Sequence, residues 1–205
     1  PDFEPLDLFI RLNNKPYPIK DDTFEMWNSY LDRDLINTIK SSYRNNASWF
    51  FMRKTSTRME NENNYSVLSY FNYLKQNGCD LTENGPLDIY KIGGRIAIRL
   101  RSKGDISKVL ENTKKKDAFV AAVNDLEFTF VRNLKLLLSD EGDSSEKTLS
   151  KNLDMLLGIE NNRRTQQSFY ALWYFFNGLD RENFCKKQKE IIVKTKELFK
   201  AMSSD

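Results

Sequence analysis

Histidine is absent from the 205 residues. That one absence removes the Ser-His-Asp triad, the Cys-His pair, the HExxH zinc helix and the HNH nuclease motif. Cysteine is nearly absent too. Cys79 and Cys185 stand far apart and neither belongs to a CxxC pair, so no zinc cluster or disulfide framework is expected, and a reducing cytoplasm fits. Glycine (8) and proline (5) are scarce, which argues against an all-β chain with its turn every few residues. No apolar run approaches the roughly 20 residues that span a bilayer, so no membrane partner is expected.

Aromatic residues are plentiful: fourteen Phe, nine Tyr and three Trp. They supply ample core volume, and the length suits a single domain with a real core. Lys and Arg number 32 against 29 Asp and Glu, a net charge of +3. Such a balance permits a nucleic-acid partner without requiring one.

The periodicity predicts a mainly α chain, one helical domain over 1–205 with eight or nine helices. A short helix spans about 5–12, with Leu6, Phe9 and Ile10 on one face. Pro16 and Pro18 then hold the chain extended. Asp22 and Glu25 resemble a capping box for a helix running through Leu31. Further helices are expected over 34–43 and 65–76, separated by a polar, aperiodic loop at 53–64, "RKTSTRMENENN". Two β-leaning runs flank Gly93-Gly94 in "LDIYKIGGRIAIRL", the pattern of a tight hairpin near 87–101. A short helix at 106–110 and a long central one to Leu138 follow. The long one carries a stripe of Phe119, Val123, Leu126, Phe130, Leu134 and Leu137, broadened by Val120, Phe128, Val131 and Leu138. Asp143 with Glu146 looks like another capping box, opening a helix to Leu157. The last two helices are read over 163–177 and 181–202.

No catalytic constellation is visible. "GGRIAIRLRSKGD" lacks the GxxxxGK[ST] spacing of a phosphate loop and reads as a turn. The acids of "MENENN" and "SDEGD" match no calcium loop and read as solvated; Asp32 and Asp34 read as helix caps. No metal ligand, cofactor site or nucleophile–base pair stands out, so a stand-alone enzyme ranks last. The cations offer more. Arg95, Arg99 and Arg101 alternate along one predicted strand, and Lys114 to Lys116, Arg163-Arg164 and the lysines of the last helix add to them. Such groups can neutralise phosphates; the plainer reading is a solvated face. Tyr17 and Trp49 can stack on bases or pack in the core. Arg11, followed by Asn13 and Asn14, can close a helix or hold a ligand phosphate.

The stretch "LFIRLNNKPYPIKDDTFEMWNS" resembles the Phe-x-Arg-x-Asn segment late in the ParB-like domain of GmrSD-type restriction proteins. Phe9, Arg11 and Asn13 match directly, and Glu25 stands where that family usually has a glutamate. "NKPYPI" replaces the family's usual Gly or Ser turn with a Leu. The later helices, with their Asn-Arg-Arg and an aromatic-rich helix, suit its C-terminal helical region. The resemblance implies a helical supporting portion of a defence protein that handles foreign or modified DNA. Its nucleotide-dependent part, with an Asp-Gly-Gln-Gln-Arg signature, would precede Pro1, and an HNH nuclease domain often follows in the family. Neither motif occurs in this sequence. On this basis Arg11 and Asn13 face the nucleotide site of the complete domain, and Arg99, Arg101, Arg163 and Arg164 are the candidates for DNA phosphate. The rival reading is a helical module that binds a partner protein through the aromatic face of the last helices.

Overall fold

The structure, a computed structural model, describes residues 32–50, 58–83, 85–100, 115–159 and 164–203. Among them are seven helices and one two-stranded antiparallel sheet. The helices expected near 5–12, 22–31 and 106–110 lie outside the described residues.

Helix α1 (Arg33–Arg44) starts where the sequence has an acceptor to offer. Asp32 Oδ1 accepts the backbone N–H of Asp34 at 2.8 Å and of Leu35 at 3.3 Å, satisfying donors that a helix start leaves bare. Lys116 Nζ joins Asp32 at 2.8 Å and Asp34 at 3.3 Å. Its hydrogen bond and the two backbone N–H groups outweigh desolvation and hold the Asp32 carboxyl below the usual range. Leu35, Ile39 and Tyr43 turn inward.

Helix α2 (Arg58–Gln76) begins earlier than the sequence suggests. Residues 58–64 were expected in a loop, and they are helical; 53–57 lie outside the described residues. The polar run Asn61 to Asn64 is not solvated but buried. A helix satisfies its own backbone there, which a buried loop could not do.

The hairpin pairs β1 (Leu87–Ile92) with β2 (Arg95–Leu100), Leu87 opposite Leu100 and Ile92 opposite Arg95. Gly93 and Gly94 both have positive φ, 54° and 84°, as the favoured two-residue turn requires. Leu87 and Ile98 are fully buried on one face, while Asp88 and Arg99 oppose each other on the other. Just before it the backbone folds tightly on itself: a Cβ on Gly85 would lie 2.4 Å from the Asp80 carbonyl oxygen. Strand β2 packs against the helices at Gln166–Phe176 and Gln188–Ser203.

Helix α3 runs unbroken through Lys116–Leu126, a wide π-helical turn at Glu127–Val131, and Arg132–Leu138. All six stripe residues, Phe119 to Leu137, are buried as expected. Phe128 is not: it is 69% exposed. At about 100° per residue Phe128 lies two steps, or about 200°, from Leu126, which puts it on the side of α3 opposite the stripe.

Helix α4 (Glu146–Leu156) is capped by Ser145, whose Oγ accepts the Thr148 N–H at 3.3 Å. Asp143, expected as the cap, instead accepts the Ser145 N–H at 2.8 Å and the Thr148 hydroxyl at 2.5 Å, bracing the cap from outside. Helix α5 (Gln166–Phe176) starts at its Thr165 cap, and Phe169, Tyr170, Leu172, Trp173 and Phe176 are all buried. Phe169 meets Phe50 edge-on at 5.0 Å, and Tyr170 meets Phe71 at 5.3 Å, orientations that ring quadrupoles favour. The single helix expected over 181–202 is two: α6 (Arg181–Lys186) and α7 (Gln188–Ser203), which break at Lys187. Phe184 in α6 is fully buried and edge-on to Phe176 at 5.3 Å. Packing against Phe176 anchors α6 on its own axis, apart from α7. No helix among the described residues is long and apolar enough to cross a membrane.

Candidate functional site

Of the six residues that the sequence singled out, Arg11, Asn13, Arg101 and Arg163 lie outside the described residues. Arg99 and Arg164 are placed, far from each other in environment.

Arg99 stands on the hairpin's outer face. Its Nε and one terminal nitrogen each reach Asp88 Oδ2 at 3.1 Å, and its guanidinium carbon lies 4.9 Å from the centre of the Tyr90 ring. The strand register brings this about, since Asp88 is directly opposite and Tyr90 follows on the same face. The side chain is 58% exposed, so the carboxylate and the ring orient the guanidinium without enclosing it.

Arg164 is buried, 3% exposed. Its Nε donates to Asp154 Oδ1 at 2.8 Å, one terminal nitrogen donates to the Trp49 carbonyl, and the other to the Ser150 carbonyl at 2.7 Å and hydroxyl at 2.9 Å. The expectation that it faces DNA phosphate is corrected by this placement. The guanidinium instead ties α4, the turn after α1 and the lead-in to α5. Five fixed donors make arginine suited to such a knot. Trp49, weighed for base stacking, is 1% exposed and packs on Phe50. Lys116 of the Lys114–Lys116 run is held by Asp32 and Asp34.

A polar interior centred on α2 was not anticipated. Asn46 Nδ2 donates to Glu127 Oε2 at 2.7 Å and to the Ser42 carbonyl at 3.1 Å, and the Tyr65 hydroxyl reaches the same glutamate oxygen at 3.2 Å. Burial, then the charge of Glu127, pushes the Tyr65 phenol well above its ordinary range. One turn before Tyr65, Asn61 is buried with an Oδ1 that has no partner among the described residues, and beside Tyr65 the buried Asn64 has an Nδ2 in the same state. Farther along, Asn72 Nδ2 donates to the Ala122 carbonyl at 2.9 Å and to Asp125 at 2.8 Å. These contacts join α1, α2 and α3. The signal was there to be read: Glu127 is an acid set inside the apolar stripe of α3.

An apolar groove of about 380 Å³ runs between α5 and α7, lined by Phe175, Phe176, Leu179, Ile191 and Leu198. Phe175 is 40% exposed. Among the described residues no three His, Cys, Asp or Glu side chains come together as a metal would need.

No family model, curated protein or solved structure matches this chain.

Proposed function

We propose that the chain is the helical supporting portion of a GmrSD-like restriction or defence protein, non-catalytic by itself, whose hairpin touches the DNA backbone. The observation that carries this reading is Arg99: an exposed guanidinium, oriented by Asp88 and Tyr90, at the outer face of a strand. Arg101 follows it in sequence with the same alternation. In the complete protein the catalytic work belongs to a ParB-like part, with an HNH nuclease domain as a further partner and a nucleotide as the cofactor. Arg11 and Asn13 would face that nucleotide.

The test is retention of duplex DNA over a salt series. The log–log slope is expected to fall by about one unit on Arg99→Ala, and retention to vanish on Arg99→Ala with Arg101→Ala. DNA binding that ignores salt, or survives both substitutions, overturns the reading.

A second reading is favoured by the groove between α5 and α7. There the chain acts as a helical module that binds a partner protein. Failure to hold DNA even at low salt, together with a stable protein complex lost on Phe175→Glu, would put this second reading in place of the first.

A further inference from the structure

Neither reading uses a cavity of about 240 Å³ beside the π-turn of α3. Four elements converge on it: the last turns of α2, the π-turn, the end of α5 and the start of α6. π-Turns inside α-helices often mark functional sites. The volume falls just under the roughly 300 Å³ at which small-molecule sites usually begin, so a small ligand fits it best.

Its charges are arranged unevenly. Lys75, Arg132 and Arg181 line it, against Asp125 and Asp180. Both carboxylates are turned toward neutral donors. Asp180 accepts the Asn183 N–H and side-chain amide, each at 2.8 Å, and Asp125 accepts from Asn72 at 2.8 Å and Gln76 at 3.2 Å. Lys75 donates to the Asn177 carbonyl. The guanidinium groups of Arg132 and Arg181 have neither a hydrogen-bond nor an ion-pair partner among the described residues. The wall also holds Trp173, fully buried, whose indole N–H has no acceptor among the described residues. Phe128, 69% exposed, adds a flat apolar surface to the same lining.

We infer that this cavity binds a small phosphate ester carrying a flat ring. Arg132 and Arg181 hold the phosphate oxygens as forks, the Trp173 indole forms the wall behind them, and Phe128 covers the ring. The inference stands apart from the DNA reading, since it concerns neither the hairpin nor any residue proposed there.

The test follows the indole N–H signals of the three tryptophans by nitrogen-labelled NMR on the full chain, with Trp173 assigned through Trp173→Phe. Phenyl phosphate is the probe, with inorganic phosphate and benzoate as the comparison arms. Phenyl phosphate is expected to move the Trp173 signal saturably, with a dissociation constant in the millimolar range or below. Inorganic phosphate and benzoate are expected to bind more weakly. Arg132→Ala with Arg181→Ala should weaken phenyl phosphate about tenfold or more. Both arginines are exposed, so the melting temperature should hold. A Trp173 signal that stays still, or moves equally in the double variant, overturns the site. Inorganic phosphate binding as tightly overturns the ring, and benzoate binding as tightly overturns the phosphate.

Discussion

The hairpin and the interior around α4 each set an arginine against an aspartate, at 3.1 Å on the hairpin and 2.8 Å inside. Outside, Arg99 is 58% exposed, and water screens its attraction to Asp88. Inside, the Arg164 side chain is 2% exposed. Its charge has been taken out of water, and three further hydrogen bonds to Trp49 and Ser150 offset that cost. The lesson is that one residue pair can be a surface ornament or a structural tie, depending on how many donors the protein satisfies around it. A guanidinium with every near donor occupied by protein has little left for a ligand. One held by a single carboxylate has donors to spare.

The sharpest way to break the comparison is Arg164→Ala. It strands Asp154 and two carbonyls at a junction of three segments, and a loss of about 3–5 kcal/mol in urea unfolding is expected. Arg164→Lys should recover only part, since one ammonium cannot reach all four acceptors. A loss no larger than that of a surface pair would show that the interior tie carries no special weight. Tyr65→Phe comes next, costing about 1 kcal/mol through the hydrogen bond to Glu127. It also has a pH signature. The folded state favours the neutral phenol, so its stabilisation is full below the unfolded value of about 10 and declines as pH rises beyond it. Unfolding midpoints of the wild type should therefore fall on the alkaline side, and fall less steeply in the variant. Tyr170, raised by burial, keeps part of the decline in both. The smallest effect belongs to Arg99→Ala, under about 1 kcal/mol of stability and smaller still at high salt. A large loss there would erase the contrast between the two regions.

Much of the framework could be read from residues alone. The hairpin was legible because Gly93-Gly94 answers a local demand for positive φ between two β-leaning runs. The cap at Asp32 and the stripe of α3 were legible for the same reason: each is a contact within one or two turns. What escaped was decided by distant neighbours. Asn61 to Asn64 look like a solvated loop until packing buries them. Arg164 carries the same charge as Arg99, and only Asp154, Ser150 and the Trp49 carbonyl make it an interior residue. The break at Lys187 has no proline or glycine to announce it, because Phe184 finds its partner in Phe176, on another helix. The cavity beside the π-turn draws on residues from Asn72 to Arg181, a separation that no local pattern spans.

The wide turn at Glu127–Val131 also constrains how α3 can vary. Every helical residue advances the side-chain direction by about 100°. Over nearly the same arc this turn holds one residue more than ordinary winding does. Cutting one residue here would let the turn close to ordinary winding and leave Leu134, Leu137 and Leu138 facing the core, whereas a cut within Lys116–Leu126 would swing the side chains between the cut and the turn by about 100°. The helix is therefore expected to tolerate the loss of a letter at this turn and to keep its length elsewhere.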